Sequence, residues 1–183
     1  NRPGGNLTGF SFRSNELAGK RLEFLSELVP QATTIAFLSA PPSALAYEEQ
    51  KTNMLEAGRS LGRTVMVLEC RNESDFEIAF ATLVDRGAGA LILGTFPSFY
   101  ELRNRDRILK LASHHQIPGM YPHRMYVTAG GLMSYGTGAG AYRQVGLDYV
   151  GRILKGARPA DLPVRQSADF NLAINLKTAK ALG

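Results

Sequence analysis

The 183-residue chain has no tryptophan, one cysteine and three histidines. A lone Cys70 excludes an internal disulfide framework and a multi-cysteine metal site. His114 and His115 are adjacent at the end of a helical pattern. Their side chains are expected to diverge, and no carboxylate lies at ligand spacing, so metal chemistry has no support. His123 follows Tyr121-Pro122 at a strand end, where it either caps or touches a ligand. The longest apolar runs, 88–93 and 34–38, fall far short of the roughly 20 residues that cross a bilayer. A Gly-x-Ser-x-Gly elbow, a phosphate loop and a paired-carboxylate arrangement are all missing, so the chain is not expected to be an enzyme or to need a cofactor.

What is present is an ordinary globular composition, 44% hydrophobic with a mean hydropathy of −0.12. The net charge of +5 invites an anionic partner, yet the cations are dispersed. Only Arg103, Arg105, Arg107 and Lys110 come close together, with Glu101 and Asp106 interleaved. No aromatic-basic recognition pattern accompanies them, so nucleic acid is not an expected partner.

Residues 88–100, AGALILGTFPSFY, organise the rest. An apolar run that stops at Gly94 and lies between two helical patterns reads as a strand buried on both faces of a parallel sheet. Ligands of open α/β sheets bind outside the carboxyl ends of the strands, which makes the loop 95–98 the first candidate site.

Strand candidates 7–11, 34–38, 64–68, 88–93, 117–121, 132–135 and 170–174 alternate with helices. The first helix is capped by Asn15 with Ala18, Leu22, Leu25 and Val29 on one face. Others run over about 44–61, from a Ser74–Glu77 capping box to Gly87, over about 99–115 with Leu102, Leu109 and Ala112 inward, over 125–129, over 141–154, and over 175–182. In the box-capped helix Phe76, Ala79, Phe80, Leu83 and Val84 keep helical spacing. The 141–154 helix has Tyr142, Val145, Tyr149, Val150 and Ile153 on one face. Alternation of this kind indicates a doubly wound α/β domain with a parallel sheet wrapped by helices.

Aromatic and polar residues recur just after strands: Thr95, Phe96, Ser98, Tyr121, Arg124, Ser134 and Tyr135. Such a ring suits a small organic ligand held by stacking and a few hydrogen bonds; the alternative is that the aromatics only fill the ends of the core. A second loop at a strand end, 39–43, forms another candidate rim. Gly136-x-Gly138-x-x-Ala141 sits where a dinucleotide-binding turn would, but only Asp161 follows at the expected distance, so a flexible turn or hinge is the better reading. Cys70 at a strand end reads as a small buried residue. Asn6-Leu7-Thr8 and Asn72-Glu73-Ser74 fit the glycosylation pattern, which is short enough to arise by chance.

Four stretches carry a family pattern: NRPGGNLTGFS at 1–11, GLMSYG at 131–136, ILKGARPADLP at 153–163 and INLKTAKALG at 174–183. Together they resemble the substrate-binding proteins of ABC transporters, of the tryptophan/tyrosine type. The resemblance implies a type 1 periplasmic-binding-protein fold, two α/β lobes closing on a small-molecule ligand, with ABC permease subunits as partners. It implies a periplasmic or extracytoplasmic location, with lipid anchoring through a segment ahead of this chain. Under it, 10–131 forms the core of the second lobe, 132–160 the crossover and the segment returning toward the first lobe, and 161–183 the return to the second. Most of the amino-terminal lobe would then lie outside this chain, consistent with an opening on Asn1 rather than Met, as in a processed or excised segment. A half-clamshell of this sort can pair as a homodimer. Members that bind aromatic amino acids tend to carry an Asp-Asn pair in the loop after the central strand, where this chain has Gly94-Thr-Phe-Pro-Ser98 and no carboxylate. After Ser-Tyr-Gly, Thr137-Gly138-Ala139 replaces the Pro-Asp of many members. The remaining alternatives are a ligand-sensing domain of a signalling or transcriptional regulator and a nucleotide-dependent enzyme using 136–141.

Overall fold

The computed structural model describes residues 4–11, 17–39, 47–166 and 169–183, without the side chains of Ala139 and Tyr142. The expected Asn15 cap, the loop beyond Ser39 and the start of the second helix lie outside the described residues, as does the side chain of Tyr142. By internal contacts the chain divides into a smaller unit, residues 1–13 and 136–171, and a larger one, 14–135 and 172–183.

The larger unit carries α1 (Ala18–Leu28), β2 (Thr34–Ser39), α2 (Tyr47–Ser60), β3 (Thr64–Glu69), α3 (Asp75–Asp85) and β4 (Ala90–Leu93). A 3-10 turn at Pro97–Tyr100 leads to α4 (Leu102–His114), β5 (Gly119–Tyr121), α5 (Arg124–Thr128) and β6 (Met133–Thr137); β8 (Phe170–Ile174) and α8 (Leu176–Leu182) complete it. The chain passes from one unit to the other inside β6 and β8. Strand order is β3-β2-β4-β5-β6-β8. Pairings β2–β3, β2–β4, β4–β5 and β5–β6 are parallel, as alternation of strand and helix requires.

The period of two along the strands sorts the core into two layers. Ala36, Leu38, Leu91, Leu93 and Tyr121 face one side and pack with Phe76, Ala79, Phe80 and Leu83 of α3 and Ile108, Leu109 and Ala112 of α4. Ile35, Phe37, Ala90, Ile92 and Met120 face the other and pack with Ala18, Leu22 and Leu25 of α1 and Met54 of α2. All four residues of β4 are buried, so the strand is apolar throughout because neither face meets water. Each large side chain buried in these layers contributes about 1.5–3 kcal/mol relative to exposure.

Several local expectations are corrected. The first strand is confined to β1 (Phe10–Ser11). Ser74 sits at the start of α3 but makes no capping hydrogen bond; Asp75 does the local work, its Oδ2 accepting from the backbone N–H of Arg71 at 2.6 Å. The helix expected over 99–115 is split, because Pro97 favours a 3-10 turn and Glu101 is extended at φ −65°, ψ 133°. Leu102 is therefore at the outer start of α4 and 63% exposed, and Ile108 takes the inward place beside Leu109. Val84 is likewise exposed at the end of α3.

The smaller unit pairs β1 with β7 (Arg165–Gln166), also parallel. Its helix begins as α6 (Ala139–Val145), widens into a π-turn at Gly146–Val150 and ends as α7 (Gly151–Leu154). The wider turn shifts the phase of the apolar face. Tyr149 remains buried, with its ring edge-on to Phe10 at 6.0 Å and its hydroxyl donating to Pro163 O at 2.6 Å, whereas Val150 and Ile153 turn out to solvent.

Candidate functional site

Buried polar residues gather at the carboxyl ends of β2, β4 and β6 in the larger unit. Arg21, Ser39, Gln50, Asn104 and Ser134 are the buried polar or charged side chains of that unit among the described residues, none more than 5% exposed; Thr137 belongs to the smaller unit. Burying such groups costs free energy unless they are bonded, so their collection along one sheet edge marks the edge as more than core.

Gln50 on α2 clamps the loop after β4. Its Nε2 donates to Thr95 O at 2.9 Å, and its Oε1 accepts from Thr95 N at 2.8 Å. Arg21 on α1 approaches the same residue: Nη1 donates to Thr95 Oγ1 at 3.3 Å, and Nε donates to Tyr135 O at 2.8 Å. Arg21 is only 3% exposed, and burial lowers its pKa to about 10, so it stays cationic at neutral pH. No carboxylate pairs with it among the described residues, and Nη2 makes no hydrogen bond there. A buried cation left with a free donor is poised for an anionic oxygen.

The sequence-derived residues are distributed unevenly around this centre. Thr95 is half-buried and engaged through backbone and hydroxyl alike. Phe96 is half-buried, edge-on to Phe99 at 5.7 Å. Ser98 turns its carbonyl to Asn104 Nδ2 at 2.9 Å. Arg124 is exposed at the start of α5. Tyr135 contributes its carbonyl to Arg21, but its ring packs on Phe24 of α1, centroids 5.1 Å apart. Ser134 is buried within β6, opposite Tyr121 of β5. Tyr121 does not reach the rim: its ring is 1% exposed and stacks on Tyr126 at 4.7 Å, with the hydroxyl close to Gly119. Two aromatic residues near the edge were absent from the expected ring. They are Tyr100, in the 3-10 turn, and His123, whose rings meet edge-on at 6.1 Å. His123 Nδ1 accepts from Met125 N at 3.1 Å and caps α5, while burial lowers its pKa.

Other constellations resolve differently. The rings of His114 and His115 do not diverge but meet edge-on at 4.7 Å, and His115 lies over Phe80. Three or more metal-competent side chains are not brought together among the described residues. Cys70 is buried, and desolvation pushes its thiol up to about 12, far from a nucleophile. In the smaller unit, Cβ atoms built on Gly138 and Gly140 would each lie 2.6 Å from the Asp169 carboxylate. A pyrophosphate against that turn would face an anion, which removes the dinucleotide reading. The basic run on α4 is neutralised by Glu101, Asp106 and the α3-side acids Glu73 and Glu77, Arg107 Nη2 standing 2.5 Å from Glu77.

Comparisons with known proteins agree with the fold. No curated protein matches the chain. Among solved structures, a conserved domain protein of Vibrio cholerae aligns at 23% identity with a TM-score of 0.81, covering all of this chain and 60% of that one. The ABC domain of Streptococcus pneumonia in complex with L-Trp aligns at 22% and 0.79, over all of this chain and 61% of its own. A LacI family transcriptional regulator of Bifidobacterium animalis shares the fold at 11% identity and 0.64, covering 86% of this chain and 59% of that one. The chain thus spans about 60% of the length of the first two. At these identities the likeness establishes fold alone, a periplasmic-binding-protein type 1 lobe with its parallel sheet flanked by helices. The family model for ABC transporter substrate binding proteins matches residues 1–183, and the chain belongs to that family.

Proposed function

We propose that the carboxyl edge of the larger unit is one wall of a binding site for a small organic carboxylate. The whole protein would then be the extracytoplasmic solute-binding component of an ABC importer. The observation that carries this is Arg21, a buried guanidinium that, among the described residues, has Nη2 unbonded and no acid paired with it. A carboxylate supplies the missing partner, and the Gln50 clamp holds Thr95 in place to complete the anion's surroundings. Phe96, Ser98, Arg124, Tyr100 and His123 offer stacking and hydrogen-bonding neighbours for the rest of the solute. The loop after β4 has no carboxylate for an α-amino group, which favours simple acids over amino acids. Transport needs no chemistry on the ligand, only a closed state that the ligand prefers and a permease distinguishes.

The second reading is a ligand-sensing domain of a regulator, favoured by the shared fold of LacI family regulators. The decisive experiment is a thermal-shift titration of the intact gene product with small carboxylates and their neutral amides. A saturating ligand at about 100 times its dissociation constant adds roughly 2.7 kcal/mol to stability. We expect stabilisation by one class of acid, no response to the matching amide, and loss of the response in Arg21→Gln. Equal response to acid and amide would sink the Arg21 assignment. Ligand-dependent stimulation of a permease ATPase supports the importer, and ligand-dependent DNA affinity supports the regulator.

A further inference from the structure

The opposite edge of the same sheet holds a cavity, of about 360 Å³, between the end of α4, the amino ends of β5 and β6, and α8. That volume lies within the usual range for small-ligand pockets. Leu109, Ala112, Ile117, Leu132 and Leu182 supply apolar wall, and the exposed Lys177 stands among the lining residues. Tyr121 lines it too. Its ring turns back from the carboxyl rim: a Cβ on Gly119 would lie 2.6 Å from the hydroxyl, and one on Gly131 would lie 2.7 Å from the ring. Those two glycines make room for a tyrosine pointing toward the amino edge. The residue is 1% exposed, and its hydroxyl is not one of the fully enclosed unpartnered polar atoms of the described residues: it opens on the cavity, with no protein hydrogen-bond partner there. Burial holds the phenol well above its ordinary pKa, so it remains a donor at any physiological pH. A donor that opens on a cavity and has no protein partner is free to bond whatever occupies that cavity.

We propose that this cavity is a second ligand site, remote from the carboxyl edge, which takes a small aromatic acid with a polar group at its buried end. The apolar walls hold the ring, the Tyr121 hydroxyl bonds the buried polar group, and Lys177 holds the carboxylate at the opening.

The test uses 4-hydroxybenzoate, benzoate and 4-hydroxybenzyl alcohol as probes, read on the methyl resonances of Leu109, Leu132 and Leu182 in the full chain. We expect 4-hydroxybenzoate to shift these methyls saturably, and Tyr121→Phe to weaken it about tenfold while leaving benzoate unchanged. Lys177→Ala is expected to weaken both acids about tenfold and leave the alcohol unchanged. Ala181→Trp, on the exposed side of α8, closes the opening and abolishes all three; an unchanged melting temperature checks its fold. Arg21→Gln leaves every response intact, so failure here and failure of the carboxyl-edge assignment are separable. Absence of saturable shifts, or shifts that persist in Ala181→Trp, overturns the proposal. Equal loss of benzoate and 4-hydroxybenzoate in Tyr121→Phe overturns the role of the hydroxyl.

Discussion

The two ends of one parallel sheet are built on opposite principles. At the carboxyl end, polar side chains are buried and largely bonded: Gln50 brackets Thr95 with two hydrogen bonds, Arg21 ties that loop to β6, and Asn104 donates to Ser98 O while its Oδ1 stays unpartnered. At the amino end, Leu109, Ala112, Ile117, Leu132 and Leu182 share the cavity wall with polar residues such as Lys177, and one phenol opens on it with no protein partner among the described residues. Each end lies beyond the strands, where the backbone ladder stops and side chains must satisfy whatever the loops expose. The difference lies in what each edge is built to hold in place. The carboxyl edge commits several groups to hold one loop and keeps one donor in reserve, whereas the amino edge is shaped by volume that Gly119 and Gly131 leave for a ring.

Tyr121 offers the strongest way to break this contrast. Tyr121→Ala removes a fully buried aromatic beside an existing cavity, and the expected cost is about 3–5 kcal/mol in urea unfolding. Loss of less than about 1 kcal/mol would mean that Leu109 and Tyr126 collapse into the space, so that packing and not the cavity shapes this edge. Gln50→Leu probes the other end. It leaves the N–H and carbonyl of Thr95 unpaired in a half-buried loop, at an expected cost of about 1–3 kcal/mol. Hydrogen exchange should quicken at Thr95 and Phe96 and stay unchanged at Met120. Uniform quickening over the sheet would show that Gln50 supports the core and not the loop.

The alternating architecture was legible because its signal is the period and length of apolar runs. Residues 90–93 are buried on both faces, and their unbroken Ala-Leu-Ile-Leu reads directly as a central strand. The rim was legible only as a neighbourhood. Thr95 and Phe96 follow the strand in sequence, but Arg21 and Gln50 come from helices 74 and 45 residues away along the chain. Nothing local marks them. In the helical patterns both fall on the core-facing side, a buried Arg beside Leu22 and a buried Gln at the head of α2, and a polar residue on an apolar stripe is the signal that would have found them. Tyr121 was misplaced for the converse reason. Position after a strand fixes the Cα of a residue, while the rotamer that turned this ring toward Gly119 depends on two glycines, one of them from the next loop.

The smallest effect sharpens the comparison through pH. His123 lies at the carboxyl edge, where its Nδ1 accepts the N–H of Met125, which requires the neutral ring. Burial lowers its folded pKa below the ordinary 6.5, so the unfolded chain takes up a proton that the folded one resists. The stability it contributes is therefore full above about pH 6.5 and is lost as the pH falls through the lower folded value. His123→Asn keeps a side-chain oxygen for the cap and removes the titration. Urea midpoints measured from pH 7.5 down to pH 5 should fall less steeply in the variant than in the parent, with equal stability at pH 7.5 to within about 0.5 kcal/mol. Because the amino-edge cavity is lined by no histidine or carboxylate, the same acidification should leave 4-hydroxybenzoate binding there unchanged until the probe itself is protonated. A parallel loss of that binding between pH 7.5 and pH 6 would mean that the two edges are coupled through the sheet and are not independent sites.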